Sequence, residues 1–145
     1  MSRDQELLST AALAAFKLNG QFLELAESLA KPVGLTATWW QVLGAVLHTP
    51  LPVVAIAREM GITRQAVQRT ADVLVERGLA EYQENPAHRR AKLVVATAAG
   101  LDAVRAINPE HAKQAKRLSE VLGQEEFARA VEALTTLSKA LEQLR

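Results

Sequence analysis

No cysteine occurs among the 145 residues. Its absence excludes a disulfide framework, a thiolate-held zinc or iron–sulfur centre, a thiol nucleophile and a cysteine redox switch. Histidine is nearly as scarce: His48, His88 and His111 stand at no metal-ligand spacing such as i, i+4, so no metal site is expected. Aromatic residues make up 4% of the chain, and charges interrupt every apolar run before the ~18 residues that a membrane helix needs. The opening residues Met1 to Glu6 carry acids and lack the form of a signal peptide. A carboxylate pair, a Ser/His/Asp set and a phosphate-cradling glycine loop are missing too. Glu125-Glu126 is explained by the positive end of a helix. These absences predict a soluble, cytoplasmic chain with no membrane partner, no cofactor and no enzymatic activity.

What is present suffices for a folded domain. Hydrophobic residues are 49% of the chain, which excludes disorder, and the length suits one domain of roughly 100–200 residues. The formal net charge of +1 is uninformative until it is divided along the chain. Residues 1–51 carry −1, residues 52–97 carry +2 and residues 98–145 carry 0. Within the middle block Arg89, Arg90 and Lys92 occupy a stretch without acids, so an anion-binding surface belongs there.

The spacing of Leu7, Ala11, Leu18, Phe22, Leu25 and Leu29 predicts a long helix over 4–30, ended by Lys31-Pro32-Val33-Gly34. Thr36 is the expected N-cap of a helix running to about His48. A short helix over 54–60 is broken by Gly61, and Thr63 caps a second helix that Gly78 ends near Arg77. Two helices joined by a tight glycine turn form a helix-turn-helix. The stretches 79–82 and 92–96 read as strands around the turn-rich Asn85-Pro86-Ala87-His88, a basic hairpin. Thr97 caps a further helical region that Asn108-Pro109 is expected to kink or interrupt. In the last helix Phe127, Val131, Leu134, Leu137, Leu141 and Leu144 form one apolar stripe. The fold class is mainly α with a small β-hairpin wing, a winged helix-turn-helix flanked by terminal helices.

On the second helix of the motif Val67, Thr70, Ala71 and Leu74 face inward, and Arg64, Gln65, Gln68, Arg69 and Asp72 face outward. Gln65, Gln68 and Arg69 stand at i, i+3, i+4 and share one face. Glutamine and arginine read adenine and guanine edges in the major groove. Thr63, Arg64 and the free amides at the helix start suit phosphate contacts. His88, Arg89 and Arg90 sit at the hairpin tip, where arginines can enter a minor groove. One of the two arginines is expected to contact DNA and the other to tie the wing to Asp72; the residue pattern leaves open which does which. A solvated helix face is the plain alternative for the Gln/Arg set, and the adjoining basic hairpin argues against it. A winged-helix protein-interaction module without DNA binding is the rival function. It would present apolar anchors on that face instead.

From Leu35 to Thr97 the chain resembles the MarR-type winged helix-turn-helix regulators, the multiple-antibiotic-resistance regulator family. Leu35-Thr36, Trp40-Gln41-Val42-Leu43, Ile62-Thr63-Arg64-Gln65-Ala66-Val67, Leu74 and Gly78-Leu79 carry the likeness. Its most specific part is Asn85-Pro86-Ala87-His88-Arg89-Arg90-Ala91-Lys92-Leu93, followed by Thr97-Ala98-Ala99-Gly100. Where the family's wing usually reads Asp-Arg-Arg, His88 stands in place of the acid. The resemblance implies one MarR-like domain over 1–145, with dimerisation helices at 1–34 and 101–145 and a DNA-binding lobe at 35–100. It implies a homodimeric repressor on a pseudo-palindromic double-stranded DNA site. It also implies release by a small lipophilic or aromatic effector, with Phe16, Trp39 and Trp40 lining the effector pocket. A tryptophan at a helix start beside a staple is more often a core residue than a pocket wall. Without cysteine, any sensing must proceed by reversible binding.

Overall fold

Ser2 Oγ accepts from the Gln5 N–H at 3.2 Å while Gln5 Oε1 accepts from the Ser2 N–H at 2.9 Å. This reciprocal cap satisfies two otherwise free donors and opens α1 (Arg3–Ala30). The computed structural model describes residues 1–145. A 3-10 turn over Lys31–Val33 ends on Gly34 in the left-handed region. There follow α2 (Ala37–Ala45), β1 (Leu51–Pro52), α3 (Val53–Met60), α4 (Arg64–Glu76), β2 (Ala80–Gln83), β3 (Leu93–Ala96), α5 (Ala98–Leu122) and α6 (Gln124–Gln143). The chain divides into two compact units, Met1–Ile107 and Asn108–Arg145. No helix is long and apolar enough to cross a membrane.

Within Met1–Ile107, threonines set the helix starts. Thr36 Oγ1 accepts from the Trp39 N–H, Thr63 Oγ1 from Ala66 and Thr97 Oγ1 from Gly100, each at 3.1 Å. The end of α4 is built as the residues require. Gly78 takes φ +76°, the Gly78 N–H bonds the Val75 carbonyl and the Leu79 N–H bonds the Leu74 carbonyl. That pair of bonds closes the helix and needs a left-handed residue, which glycine adopts without a steric penalty.

The sheet has the order β1-β3-β2, antiparallel throughout. Tyr82 pairs with Val94 and Ala80 with Ala96 across the hairpin. The third strand, β1, pairs Leu51 with Val94 and Pro52 with Leu93, and was not anticipated from the residues. A proline is tolerated there because β1 is an edge strand and spends no ladder donor on its open side. Beneath the sheet and helices Val42, Leu43, Ile56, Val67, Leu74, Val94 and Ile107 are fully buried. Each such side chain contributes about 1.5–3 kcal/mol by leaving water. The inward face of α4 is as expected: Val67, Thr70, Ala71 and Leu74 are buried.

The largest shift of an element boundary from the sequence expectation lies at the end of α2. Helix α2 stops at Ala45 rather than near His48, because the Val46 and Leu47 N–H groups turn back to Leu43 and Gly44 in i→i−3 bonds. Of the kink or interruption expected at Asn108-Pro109, the interruption does not occur: α5 runs on through Pro109. The ring removes one hydrogen bond, the one that would reach Arg105, and good helix formers on both sides carry the helix on.

Within Asn108–Arg145, Gly123 at φ +80° separates the two helical stretches, its N–H bonding the Ser119 carbonyl at 2.7 Å. No residue of α6 is buried. Val131, Leu134, Leu137 and Leu141 are exposed along it and Leu144 at its C-cap, and Leu7, Leu8, Leu13, Phe16 and Phe22 are exposed along α1.

Candidate nucleic-acid interface

The wing is shaped by Asn85. Its Oδ1 accepts from the Ala87 N–H at 3.1 Å, and its Nδ2 donates across the loop to the Ala91 carbonyl at 2.9 Å. Two further backbone bonds, His88 N–H to Asn85 and Ala91 N–H to His88, wind the tip into tight turns. Asparagine does this readily because its short amide mimics a backbone turn. His88, Arg89 and Arg90 are thereby held exposed at the tip.

On α4 the side chains of Arg64, Gln65, Gln68 and Arg69 are exposed, as their helical spacing predicts. Between α4 and the wing lies an open groove of about 560 Å³. Arg64, Gln65 and Gln68 line it from α4, and Arg90, Ala91 and Lys92 from the wing. Val53 and Val54 of α3 and Tyr82 of β2 complete the lining. Three cations face this space and no acid does. Its charge is complementary to an anionic polymer, and the two amides can supply directional hydrogen bonds.

Among the residues singled out from sequence, the groove brings together Arg64, Gln65, Gln68 and Arg90. Thr63 serves as the helix cap. Arg69, His88 and Arg89 are exposed and do not line the groove. Phe16, Trp39 and Trp40 do not line it either. Phe16 is 72% exposed on α1, and both tryptophans are half-buried against the core of the first unit. Trp39 carries the Arg77 guanidinium 5.1 Å from its ring centroid, a cation–π contact tying the end of α4 to α2.

One expectation is corrected. Neither wing arginine ties the wing to Asp72. That role falls to Tyr82, whose phenol donates to Asp72 Oδ1 from β2, while Gln68 Nε2 donates to the same oxygen at 3.0 Å and to the Tyr82 hydroxyl at 2.9 Å. The phenol wins because its register opposite Val94 brings it to α4 from the adjoining strand, whereas the arginines ride on an outward turn. Burial first, and then the bond to Asp72, hold the Tyr82 hydroxyl well above the ordinary tyrosine range, so it remains a donor. Tyr82, Asn85, Val53 and Val54 were missed as site residues. For Asn85 a signal existed, an asparagine opening a turn-rich segment.

Residues 33–91 match the model of the MarR family. The uncharacterized protein Rv2011c of Mycobacterium tuberculosis is 42% identical over 92 residues, which cover 63% of this chain and 64% of that protein. The match thus spans just under two thirds of the relative's length. Among solved structures, the M. tuberculosis transcriptional regulator MOSR in complex with DNA superposes with a TM-score of 0.78 at 21% identity, covering 93% of this chain and 98% of that one. CouR from Rhodococcus jostii bound to p-coumaroyl-CoA gives 0.76 at 21% identity, covering 88% and 90%.

Proposed function

From the match of residues 33–91 to the MarR family model, we propose that the chain is a MarR-type, sequence-specific double-stranded DNA-binding transcription regulator acting as a homodimeric repressor. The observation that carries this reading is the acid-free groove where Arg64, Gln65 and Gln68 of α4 meet Arg90 and Lys92 of the wing. In it α4 enters the major groove, with Gln65, Gln68 and Arg69 toward base edges. Thr63, Arg64 and the amides at the α4 start engage phosphates. His88, Arg89 and Arg90 follow the neighbouring minor groove.

Residues 35–100 are the DNA-binding lobe and residues 1–34 and 101–145 the dimerisation helices. Supporting this division, Leu134, Leu137, Leu141 and Leu144 lie exposed at heptad-like spacing, and apolar stripes of that kind mark interfaces. Twofold symmetry then calls for a pseudo-palindrome with half-sites ~34–36 Å apart. Occupying that site blocks transcription. A small lipophilic or aromatic effector, met by Phe16, Trp39 and Trp40, releases the protein by favouring a spacing of the two lobes that mismatches the half-sites. That CouR carries an aromatic thioester supports a ligand of this chemistry. Selection from a random duplex pool tests the reading: a pseudo-palindromic motif is expected, and the absence of any enrichment would overturn it in favour of an interaction module.

A further inference from the structure

Asp72 Oδ1 and the Tyr82 hydroxyl are hydrogen-bonded to each other and both lie within 3.0 Å of Gln68 Nε2. Two oxygens so close together subtend a narrow angle at Nε2, much less than the spread of its two N–H bonds, so a single N–H is shared between them. Such three-centre bonds are common where acceptors crowd. The carboxylate only accepts, and the phenol has already given its one hydrogen to it, so the pair offers Gln68 lone pairs alone. Turning the amide over would set Oε1 against those lone pairs, exchanging two attractive contacts for an acceptor facing acceptors beside a carboxylate. The nitrogen end is therefore held. Carbonyl Oε1 forms no hydrogen bond within the chain, and Gln68 is exposed on the groove wall.

We infer that Tyr82 and Asp72 are positioning residues that fix which end of the Gln68 amide meets a base, making Gln68 an acceptor that selects an amino-bearing base over a keto base. In the major groove the amino donors are adenine N6 and cytosine N4, whereas guanine O6 and thymine O4 are acceptors that Oε1 repels. The remaining Gln68 N–H can meet a purine N7, which places adenine first and cytosine second. A free glutamine amide turns over readily and accepts either class; the link from β2 removes that freedom. The inference rests on the DNA-reading assignment of α4.

The test is duplex selection with the full-length wild type, Gln68→Ala, Tyr82→Phe and the double variant Asp72→Asn/Tyr82→Phe. Gln68→Ala identifies the motif position that Gln68 reads. At that position the wild type should favour adenine or cytosine about tenfold over guanine and thymine. Tyr82→Phe should narrow that ratio, and the double variant should bring it close to one, with every other position unchanged. An unchanged motif elsewhere distinguishes a freed amide from a damaged fold. A keto base at the Gln68 position in the wild type would overturn the inference, as would an unaltered profile in the double variant; the DNA-reading assignment would survive both. Collapse of the whole motif in the variants would also overturn it, because the pair would then hold the fold rather than one amide. No motif in the wild type would overturn inference and assignment together.

Discussion

Replacing Gly100 with alanine should destabilise the first unit, although Gly100 lies in a helix where alanine is intrinsically favoured. A Cβ at this position would lie 2.0 Å from the Leu79 carbonyl oxygen, 3.1 Å from the carbonyl carbon and 3.3 Å from Leu43 Cδ2. The nearest atom belongs to backbone and cannot swing aside as a side chain would. The same Leu79 oxygen accepts from the Thr97 N–H at 3.1 Å, and the Thr97 hydroxyl donates to the Gly78 carbonyl at 2.6 Å. Relieving the overlap requires the start of α5 to retreat from the turn that ends α4. Overpacking of this kind costs about 1–3 kcal/mol. Weakening the Thr97–Leu79 bond adds about 0.5–1.5 kcal/mol. Alanine's helix preference returns about 1 kcal/mol. A net loss of about 2 kcal/mol corresponds to a Tm lower by about 4–8 °C in a chain of this size. The matched control is Gly44→Ala in α2, where nothing lies within 4 Å and the same substitution should stabilise by up to about 1 kcal/mol. Urea unfolding followed by far-ultraviolet circular dichroism separates the two. If Gly100→Ala matched Gly44→Ala in sign, the close approach of α5 to Leu79 would be refuted.

Tyr82 is the chain's one tyrosine, so tyrosinate absorbance reports it alone. In the folded protein it should ionise above the ordinary value near pH 10, and in urea near ~10. Because the folded value is raised, its contribution to stability is complete below about pH 10 and fades as pH climbs beyond that; an ordinary folded midpoint would contradict the Tyr82–Asp72 bond. Substituting Leu137 and Leu141 with glutamate should convert a dimer to monomers in sedimentation, since each leucine buried at an interface contributes about 1.5–3 kcal/mol and symmetry doubles every contact. A wild type that sediments as a monomer would remove α6 as the dimerisation helix. Replacing Arg89 and Arg90 together by alanine should lower the slope of log affinity against log salt by up to about 2. An unchanged slope would show that the wing tip stays clear of phosphates.

Local chemistry was legible and long-range pairing was not. Thr36, Thr63 and Thr97 announce helix starts because a threonine hydroxyl before an apolar-periodic run has few other uses, and Gly78 announces a helix end because no Cβ opposes its φ of +76°. The Gln65, Gln68 and Arg69 face follows from helical geometry alone. Strand β1 escaped because two residues, one of them Pro52, carry no periodicity; pairing with β3 makes the strand. The partner of Asp72 escaped for a related reason. Charge favoured an arginine, whereas the register of β2 against β3 delivers Tyr82, and no local pattern encodes a register. Val53 and Val54 joined the groove by the same tertiary route. Pro109 does not end α5, because the helix-forming residues around it carry the hydrogen bonding past the ring.

Base reading by α4 is tested most directly by the affinity of Arg69→Ala for its selected duplex and for a scrambled one at the same salt concentration. Binding to the selected duplex should weaken by about 1–3 kcal/mol while binding to the scrambled duplex stays nearly level. Equal losses on both would mean that the face meets phosphates alone, and would contradict the assignment.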